Sequence, residues 1–76
     1  MKKQFTVTDG KRTAKVDIFW LEESKYSAAH YSALISVPFQ DSKIYNLFVY
    51  DEEKIDEAIR NATEYAELAL SRCFTF

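Results

Sequence analysis

Residues 51–72, DEEKIDEAIRNATEYAELALSR, decide the fold, because their pattern predicts one amphipathic helix. Apolar residues recur at steps of three and four and form a stripe: Ile55, Ala58, Ile59, Ala62, Ala66, Ala69, Leu70 and Cys73. The remaining arc is charged: Glu53, Asp56, Glu57, Arg60, Glu64 and Glu67. We predict that Asp51 caps the first turn and that Arg72 lies near the negative end of the helix. The helix therefore supplies one apolar layer and one acidic surface.

The residues before this helix predict four β-strands. The strands, in chain order, are an N-terminal one around Phe5 and Val7, then 13–21, 30–37 and 44–50. Between the first two, Asp9-Gly10 supplies residues that tolerate positive φ in a tight hairpin turn. Pro38 is expected to end the third strand. The fourth is rich in β-forming residues on both of its faces.

These elements predict the α+β class: an antiparallel sheet of about four strands, packed on one face by a single C-terminal amphipathic helix, in one domain over residues 1–76. The helix is expected to cover the apolar face, formed by Phe5, Val7, Val16, Ile18, Trp20, Tyr31, Ile35 and Val37. The opposite face stays open and combines Lys15, Asp17, Ser32 and Ser36 with Phe19, Leu34 and part of 44–50. Exposed aromatic residues on such a face indicate that a second copy or a functional partner covers it.

Composition and cysteine content indicate the size of the core and the cellular compartment. The 76 residues are 47% hydrophobic and 16% aromatic, which is a rich core for a chain of this size. Cys73 is the single cysteine and cannot form an intramolecular disulfide, so we expect a reducing environment. The N-terminal MKKQFTVTDG lacks the apolar run of a signal peptide, and no segment has the length of a membrane span. These features predict a cytoplasmic protein with no membrane partner.

Charge is divided along the chain. Residues 1–21 carry five basic and two acidic side chains, a balance of +3, whereas residues 51–72 carry seven acidic and three basic ones, a balance of −4. One interpretation is an ordinary solvated helix face. The other is an acidic surface that docks on a basic protein, for example in the groove of a nucleic-acid enzyme. Direct nucleic-acid binding is disfavoured, because the acidic helix would repel the phosphate backbone.

Catalytic and metal-binding patterns are not found in the sequence. His30 is the only histidine, and its neighbours form no pair of base and nucleophile, so we expect it on the surface of the open sheet face. One glycine, Gly10, cannot make a glycine-rich phosphate loop. We therefore predict no catalytic residue, no metal site and no cofactor, and the chain is not expected to be an enzyme.

The segment from 32 to 71 resembles the HicB-type antitoxin module. The matching residues are Ile35-Ser36-Val37-Pro38, then Asp51-Glu52-Glu53, then the helical motif EAIRNATE at 57–64. In that family a strand ending in valine-proline leads into an acidic helix start; its proline-glycine-cysteine turn is replaced here by 39–43. The resemblance implies an incomplete RNase-H-like sheet with one helix and no nuclease residues, and a role in neutralising a small RNA-cleaving toxin.

Two functional hypotheses follow, and the first is preferred. It is a non-enzymatic inhibitor or adaptor of the small phage or mobile-element type (anti-defence, anti-CRISPR-like), which blocks a host nucleic-acid-handling complex. Its candidate partner-binding residues are Glu53, Asp56, Glu57, Glu64 and Glu67 for charge, and Phe19, Leu34, Phe48 and Tyr50 for apolar contact.

The alternative is a HicB-like antitoxin or regulatory module that dimerises. It would touch nucleic acid through the basic residues of the first hairpin: Lys2, Lys3, Lys11, Arg12 and Lys15. A structural homodimer that uses the open sheet face for self-association is a further possibility, because it needs the same apolar patch.

Overall fold

The computed structural model describes residues 2–72, which form four strands followed by one helix. The elements are β1 (Lys2–Asp9), β2 (Arg12–Leu21), β3 (His30–Ser36), β4 (Lys43–Asn46) and α1 (Ile55–Ser71). The strands pair antiparallel in the order β1-β2-β3-β4, and α1 lies against one face of the sheet, chiefly on β2. The predicted α+β class is confirmed. The predictions for Cys73 lie outside the described residues.

The first hairpin turns at Gly10 and Lys11. Gly10 has φ 63°, a conformation that glycine adopts without steric cost. Asp9 stays in the strand, where its carboxylate accepts a hydrogen bond from the Arg12 guanidinium at 3.4 Å. The turn predicted at Asp9-Gly10 is therefore shifted by one residue, and β1 pairs with β2 along its whole length.

The core lies between the sheet and α1, as the alternation of apolar residues predicts. The buried apolar residues of this layer are Ala14, Val16, Ile18, Tyr31, Ala33, Ile35, Val37, Leu47, Val49, Ala58, Ala62, Ala66 and Leu70. Phe5, Val7 and Trp20 pack against it and are partly buried. Three buried alanines on α1 let the helix approach the sheet closely, because a methyl group is the only side chain between them.

β4 is shorter than the predicted strand 44–50, because the chain bulges at Phe48. The amide of Leu47 donates to the carbonyl of Tyr31 at 3.1 Å, but the amide of Tyr31 donates to the carbonyl of Val49 at 2.9 Å. In a regular antiparallel pair, the Tyr31 amide would donate to the carbonyl of Leu47 instead. The Leu47 carbonyl is thereby released from the ladder, and the side-chain amide of Asn61 on α1 donates to it at 2.9 Å.

The helix begins at Ile55, so the prediction that Asp51 caps it is wrong. The Asp51 side chain accepts a hydrogen bond from the Glu53 amide, and its carbonyl accepts one from the Lys54 amide, each at 3.0 Å. These bonds close a separate turn, since an aspartate can satisfy nearby amides outside a helix. Lys54 is the N-cap and makes no side-chain capping bond, whereas Arg72 is the C-cap.

The prediction that His30 lies on the surface of the open sheet face is wrong, because part of that face is buried. His30 is 7% exposed and Ser32 is 2% exposed. His30 lies opposite Leu21 in β2, its ring centroid is 6.2 Å from that of Tyr50, and its Nδ1 is 2.7 Å from the carbonyl oxygen of Ala28. Larger side chains on both sides of β3 therefore cover this histidine.

Between residues 2 and 72, no helix combines the length and the apolar character that crossing a bilayer requires.

Candidate protein-binding surface

Exposed apolar side chains concentrate around β4 and the adjoining part of α1. Seven large apolar residues of the described chain are exposed, and five of them lie here: Phe39, Ile44, Phe48, Tyr50 and Leu68. Phe48 is 61% exposed although its neighbours Leu47 and Val49 are buried in the core. Ile44 pairs with Leu34 and so lies on the face away from α1, whereas Phe48, Tyr50 and Leu68 line clefts beside the helix. Exposed apolar residues that group in this way are typical of an interaction site.

Shallow clefts run between the segment after β4 and α1, and Phe48 lies between two of them. One is lined by Leu47, Phe48, Asn61, Glu64, Tyr65 and Leu68. The next is lined by Phe48, Val49, Tyr50, Asp51, Lys54 and Glu57. We define the Phe48 surface as five of the side chains that line these clefts: Phe48, Tyr50, Glu57, Glu64 and Leu68. The exposed side chains of Asp51 and Lys54 line the second cleft beside them.

The backbone of Phe48 is held in a conformation that a bulky residue avoids. Its φ is 57°, and the left-handed region costs a non-glycine residue about 1–2 kcal/mol. The conformation is maintained by the Phe48 amide, which donates to the side-chain oxygen of Asn46 at 2.7 Å, and by the Asn61 bond to the carbonyl of Leu47. The bulge thus presents an aromatic ring to solvent where glycine would fit the backbone better.

Two carboxylates of α1 flank this ring. Glu57 and Glu64 are seven residues apart, which is nearly two helical turns, so they share one stripe of the helix. Asp56 and Glu67 are eleven residues apart and share a different stripe, about a quarter turn away. Glu53 precedes the helix. The five predicted acidic residues therefore do not form a single row, and only Glu57 and Glu64 line the clefts at Phe48.

Phe19 and Leu34 lie on the opposite side of the sheet from α1. Phe19 is paired with Ser32, and Leu34 with Asp17, and both side chains are half-buried. Leu34 borders a concavity of the open face, across which the Gln4 side-chain amide donates to Asp17 at 3.2 Å. The predicted apolar set is thus divided between two surfaces, and Tyr50 lies at the end where they meet, beside both His30 and the Phe48 clefts.

Sequence reasoning did not select Phe39, Leu68 or Asn61. Phe39 is 87% exposed with φ 65°, and its position after Pro38 in a polar turn is the signal that could have identified it. Leu68 lies away from the apolar stripe of α1, so an apolar residue there was the available sign of a surface contact. Asn61 had no such signal, because its role depends on the bulge at Phe48.

Buried polar groups in the described chain have structural partners. The Tyr31 hydroxyl donates to the backbone carbonyl of Glu52 and so ties β3 to the turn before α1. Burial raises the pKa of Tyr31 above the usual value for tyrosine, and the nearby carboxylates of Glu52 and Asp51 raise it further. Within residues 2–72, histidine, cysteine, aspartate and glutamate form no group of three that could hold a metal ion.

Comparison of the chain with models of protein families, with curated proteins and with solved structures finds no match in any of the three.

Proposed function

We propose that this chain is a non-enzymatic protein-binding inhibitor or adaptor of the small phage or mobile-element type (anti-defence, anti-CRISPR-like), which blocks a host nucleic-acid-handling complex through the Phe48 surface. The observation that supports this function best is an exposed aromatic ring, held with positive φ, between two carboxylates of α1. Strain of this kind persists only where the surrounding structure enforces it, and it is concentrated at functional positions.

The chemistry of the Phe48 surface favours a basic protein as the partner. Aromatic anchors contribute most of the binding energy in many protein interfaces. Phe48 and Tyr50 can serve as such anchors, while Glu57 and Glu64 complement arginine or lysine and accelerate the encounter. Proteins that handle nucleic acids carry basic surfaces for the phosphate backbone, and those surfaces attract the same carboxylates.

The helix offers a matched pair of variants for testing this surface. Glu57→Lys with Glu64→Lys reverses the stripe beside Phe48, whereas Asp56→Lys with Glu67→Lys makes the same change of net charge on the other stripe. Tagged wild-type chain and both double variants are incubated with lysate of the native host, and the recovered proteins are quantified by mass spectrometry. The main partner is then purified, and its dissociation constant is measured with each variant.

We expect a basic nucleic-acid-handling protein that the wild type captures in stoichiometric amount. We expect the Glu57 and Glu64 double variant to lower its affinity at least about tenfold, because a like-charge contact replaces a favourable one. The Asp56 and Glu67 double variant should retain most of the affinity. Equal losses in the two variants, or no loss in either, would contradict the placement of the site at Phe48.

The HicB-like alternative is favoured by the distribution of basic residues on the first hairpin. Lys2, Lys3, Lys11 and Lys15 are exposed, on β1, at the turn and on β2. A mobility shift of labelled DNA or RNA at low salt, lost when these lysines are replaced by glutamine, would support this function in place of the first. Failure to bind either nucleic acid at low salt would count against it.

A further inference from the structure

The two edges of the sheet differ in how well they resist pairing with another chain. β4 has four residues and ends at the bulge of Phe48, and both features discourage pairing at an edge. β1 has eight residues and pairs with β2 at every position from Lys2 to Asp9 without a bulge. In the sheet order β1-β2-β3-β4, its other side meets no strand of the described chain.

The middle of β1 lacks the usual protection of an edge strand. Native edge strands carry charges, proline or bulges that prevent contact with other strands. Here the charged residues lie near the ends of β1, at Lys2, Lys3 and Asp9, and residues 4–8, QFTVT, have neither charge nor proline. Phe5 and Val7 are only partly buried, so the helix does not cover them completely.

We propose that β1 pairs antiparallel with β1 of a second copy of this chain, with Thr6 opposite Thr6 on a two-fold axis. The two sheets then form one continuous sheet of eight strands. The partner is a second copy because β1 is complementary to itself in this register. The dimer uses a different surface from the proposed partner site at Phe48 and does not depend on that function.

The register follows from the faces of the sheet. Directly opposed residues point to the same face, so a two-fold axis must pass through a residue of β1 and not between two residues. With the axis at Thr6, Lys3 lies opposite Asp9 and Phe5 opposite Val7, which gives ionic and apolar pairs at both ends. An axis at Phe5 places Lys3 opposite Val7, and an axis at Val7 places Phe5 opposite Asp9. In both of these registers a charged side chain lies opposite an apolar one.

The charge of Asp9 is accessible for such a pair. Asp9 is bonded to Arg12 within the hairpin at 3.4 Å, but its side chain is 58% exposed. A carboxylate has two oxygens and can accept from a second cation. Lys3 is also exposed, so the contact between Lys3 of one copy and Asp9 of the other needs no rearrangement of the core.

The test uses opposite charges at the axis. Thr6→Glu and Thr6→Lys each place two like charges opposite one another, and Thr6 is exposed, so neither change disturbs the core. Sedimentation equilibrium is measured from micromolar to millimolar concentration for the wild type, for each variant and for an equimolar mixture of the two. Ile44→Glu on the opposite edge is the matched control, because Ile44 is exposed and has no contact with β1 in the sheet.

We expect the wild type to reach twice its chain mass of 8.9 kDa. Each Thr6 variant should raise the dissociation constant of the dimer about tenfold or more, and the mixture of the two variants should associate again. Ile44→Glu should leave the dissociation constant unchanged. A wild type that stays monomeric, Thr6 variants that dimerise like the wild type, or a mixture that does not recover would each overturn the proposal. So would a dimer that Ile44→Glu dissociates.

Lys3→Glu provides a second test at a position away from the axis. It places a carboxylate opposite Asp9, and Lys3 is exposed, so the fold is maintained. We expect weaker association of this variant, with a circular dichroism spectrum like that of the wild type. A dissociation constant equal to that of the wild type would overturn the proposed register even if a Thr6 variant failed to fold.

Discussion

At the scale of single residues, Phe48 shows how a local conformational cost is offset by its neighbours. The left-handed backbone disfavours phenylalanine, yet three hydrogen bonds hold the bulge. Asn46 accepts from the Phe48 amide, while Asn61 and the Tyr31 amide donate to the carbonyls of Leu47 and Val49. The ring gains little from burial, since it is 61% exposed. A residue that is unfavourable for the backbone and contributes little to the core supports the proposed contact with a partner.

Replacement of Phe48 separates stability from binding. Phe48→Gly removes backbone strain of about 1–2 kcal/mol from the folded state. Glycine also loses more conformational entropy on folding, which costs about 0.5–1 kcal/mol. The free energy of unfolding of this variant should therefore stay within about 1 kcal/mol of the wild type. Phe48→Ala keeps the strain and should be less stable than Phe48→Gly. Urea unfolding measures both, and both variants should lose affinity for the captured partner. An alanine variant as stable as the glycine variant would show that the backbone of Phe48 is not strained.

Tyr31 should make the protein sensitive to alkaline pH. Its pKa is raised in the folded state, chiefly by burial and also by Glu52 and Asp51, so the folded protein holds the phenolic proton more tightly than the unfolded chain. This contribution to stability is present below the pKa of an unfolded tyrosine, about 10, and is lost as the pH rises through the folded pKa.

Tyr31→Phe should therefore flatten the alkaline loss of stability. It should also lower the free energy of unfolding by about 1 kcal/mol at neutral pH, because the hydrogen bond to the Glu52 carbonyl is removed. Urea unfolding across the alkaline range measures both effects. Tyr26→Phe is the control, since Tyr26 is 85% exposed, and it should behave like the wild type. An alkaline profile that Tyr31→Phe does not change would contradict this assignment.

At the scale of elements, the small side chains of α1 set its distance from the sheet. Ala58, Ala62 and Ala66 are completely buried and lie on successive turns. The partly buried Tyr65 stacks on Tyr45 of β4 with ring centroids 5.2 Å apart, and Asn61 reaches the bulge on the same side of the helix. The helix therefore supports both β4 and the backbone conformation of Phe48.

Enlarging the central alanine should move α1 away from the sheet. We expect Ala62→Leu to lower the free energy of unfolding by about 1–3 kcal/mol, because a closely packed interface has no room for added methyl groups. Ala28→Leu makes the same substitution at an exposed position and should change stability by less than about 0.5 kcal/mol. Thermal and urea unfolding measure the difference. Equal stability of the two variants would show that the interface is loose.

At the scale of the whole molecule, acidic and basic side chains belong largely to different elements. α1 carries Asp56, Glu57, Glu64 and Glu67, whereas the lysines of the first hairpin lie on β1, at its turn and on β2, the strand on which α1 chiefly packs. For the proposed basic partner, this separation favours an oriented encounter in which the acidic side chains of α1 approach first.

The rate of association with the captured protein should depend on salt. Screening lengths are about 10 Å at 0.1 M and about 3 Å at 1 M ionic strength, so added salt should slow association with the wild type. The variant with Glu57→Lys and Glu64→Lys should associate more slowly and show a weaker salt dependence. Stopped-flow measurements over a range of salt concentrations test this. A wild-type rate that salt does not change would contradict electrostatic steering.

The sequence by itself determined the fold class, the extent of the apolar face and the order of the elements. Period-two alternation in β1, β2 and β3 and the stripe in α1 are local patterns, and each fixes which side of its element is buried. The same patterns placed Phe19 and Leu34 on the face away from the helix. Charge balance likewise identified an acidic helix without reference to packing.

Only the tertiary structure decided the start of α1, the end of β4 and the grouping of the surface residues. Asp51 could cap a helix or close a turn, and the hydroxyl of Tyr31, from a distant strand, holds the turn. Residues 44–50 had the composition of a strand, but Asn61 stabilises a bulge in it. These outcomes depend on contacts between residues far apart in the chain, so local pattern could not predict that Phe48 would lie beside Glu57 and Glu64.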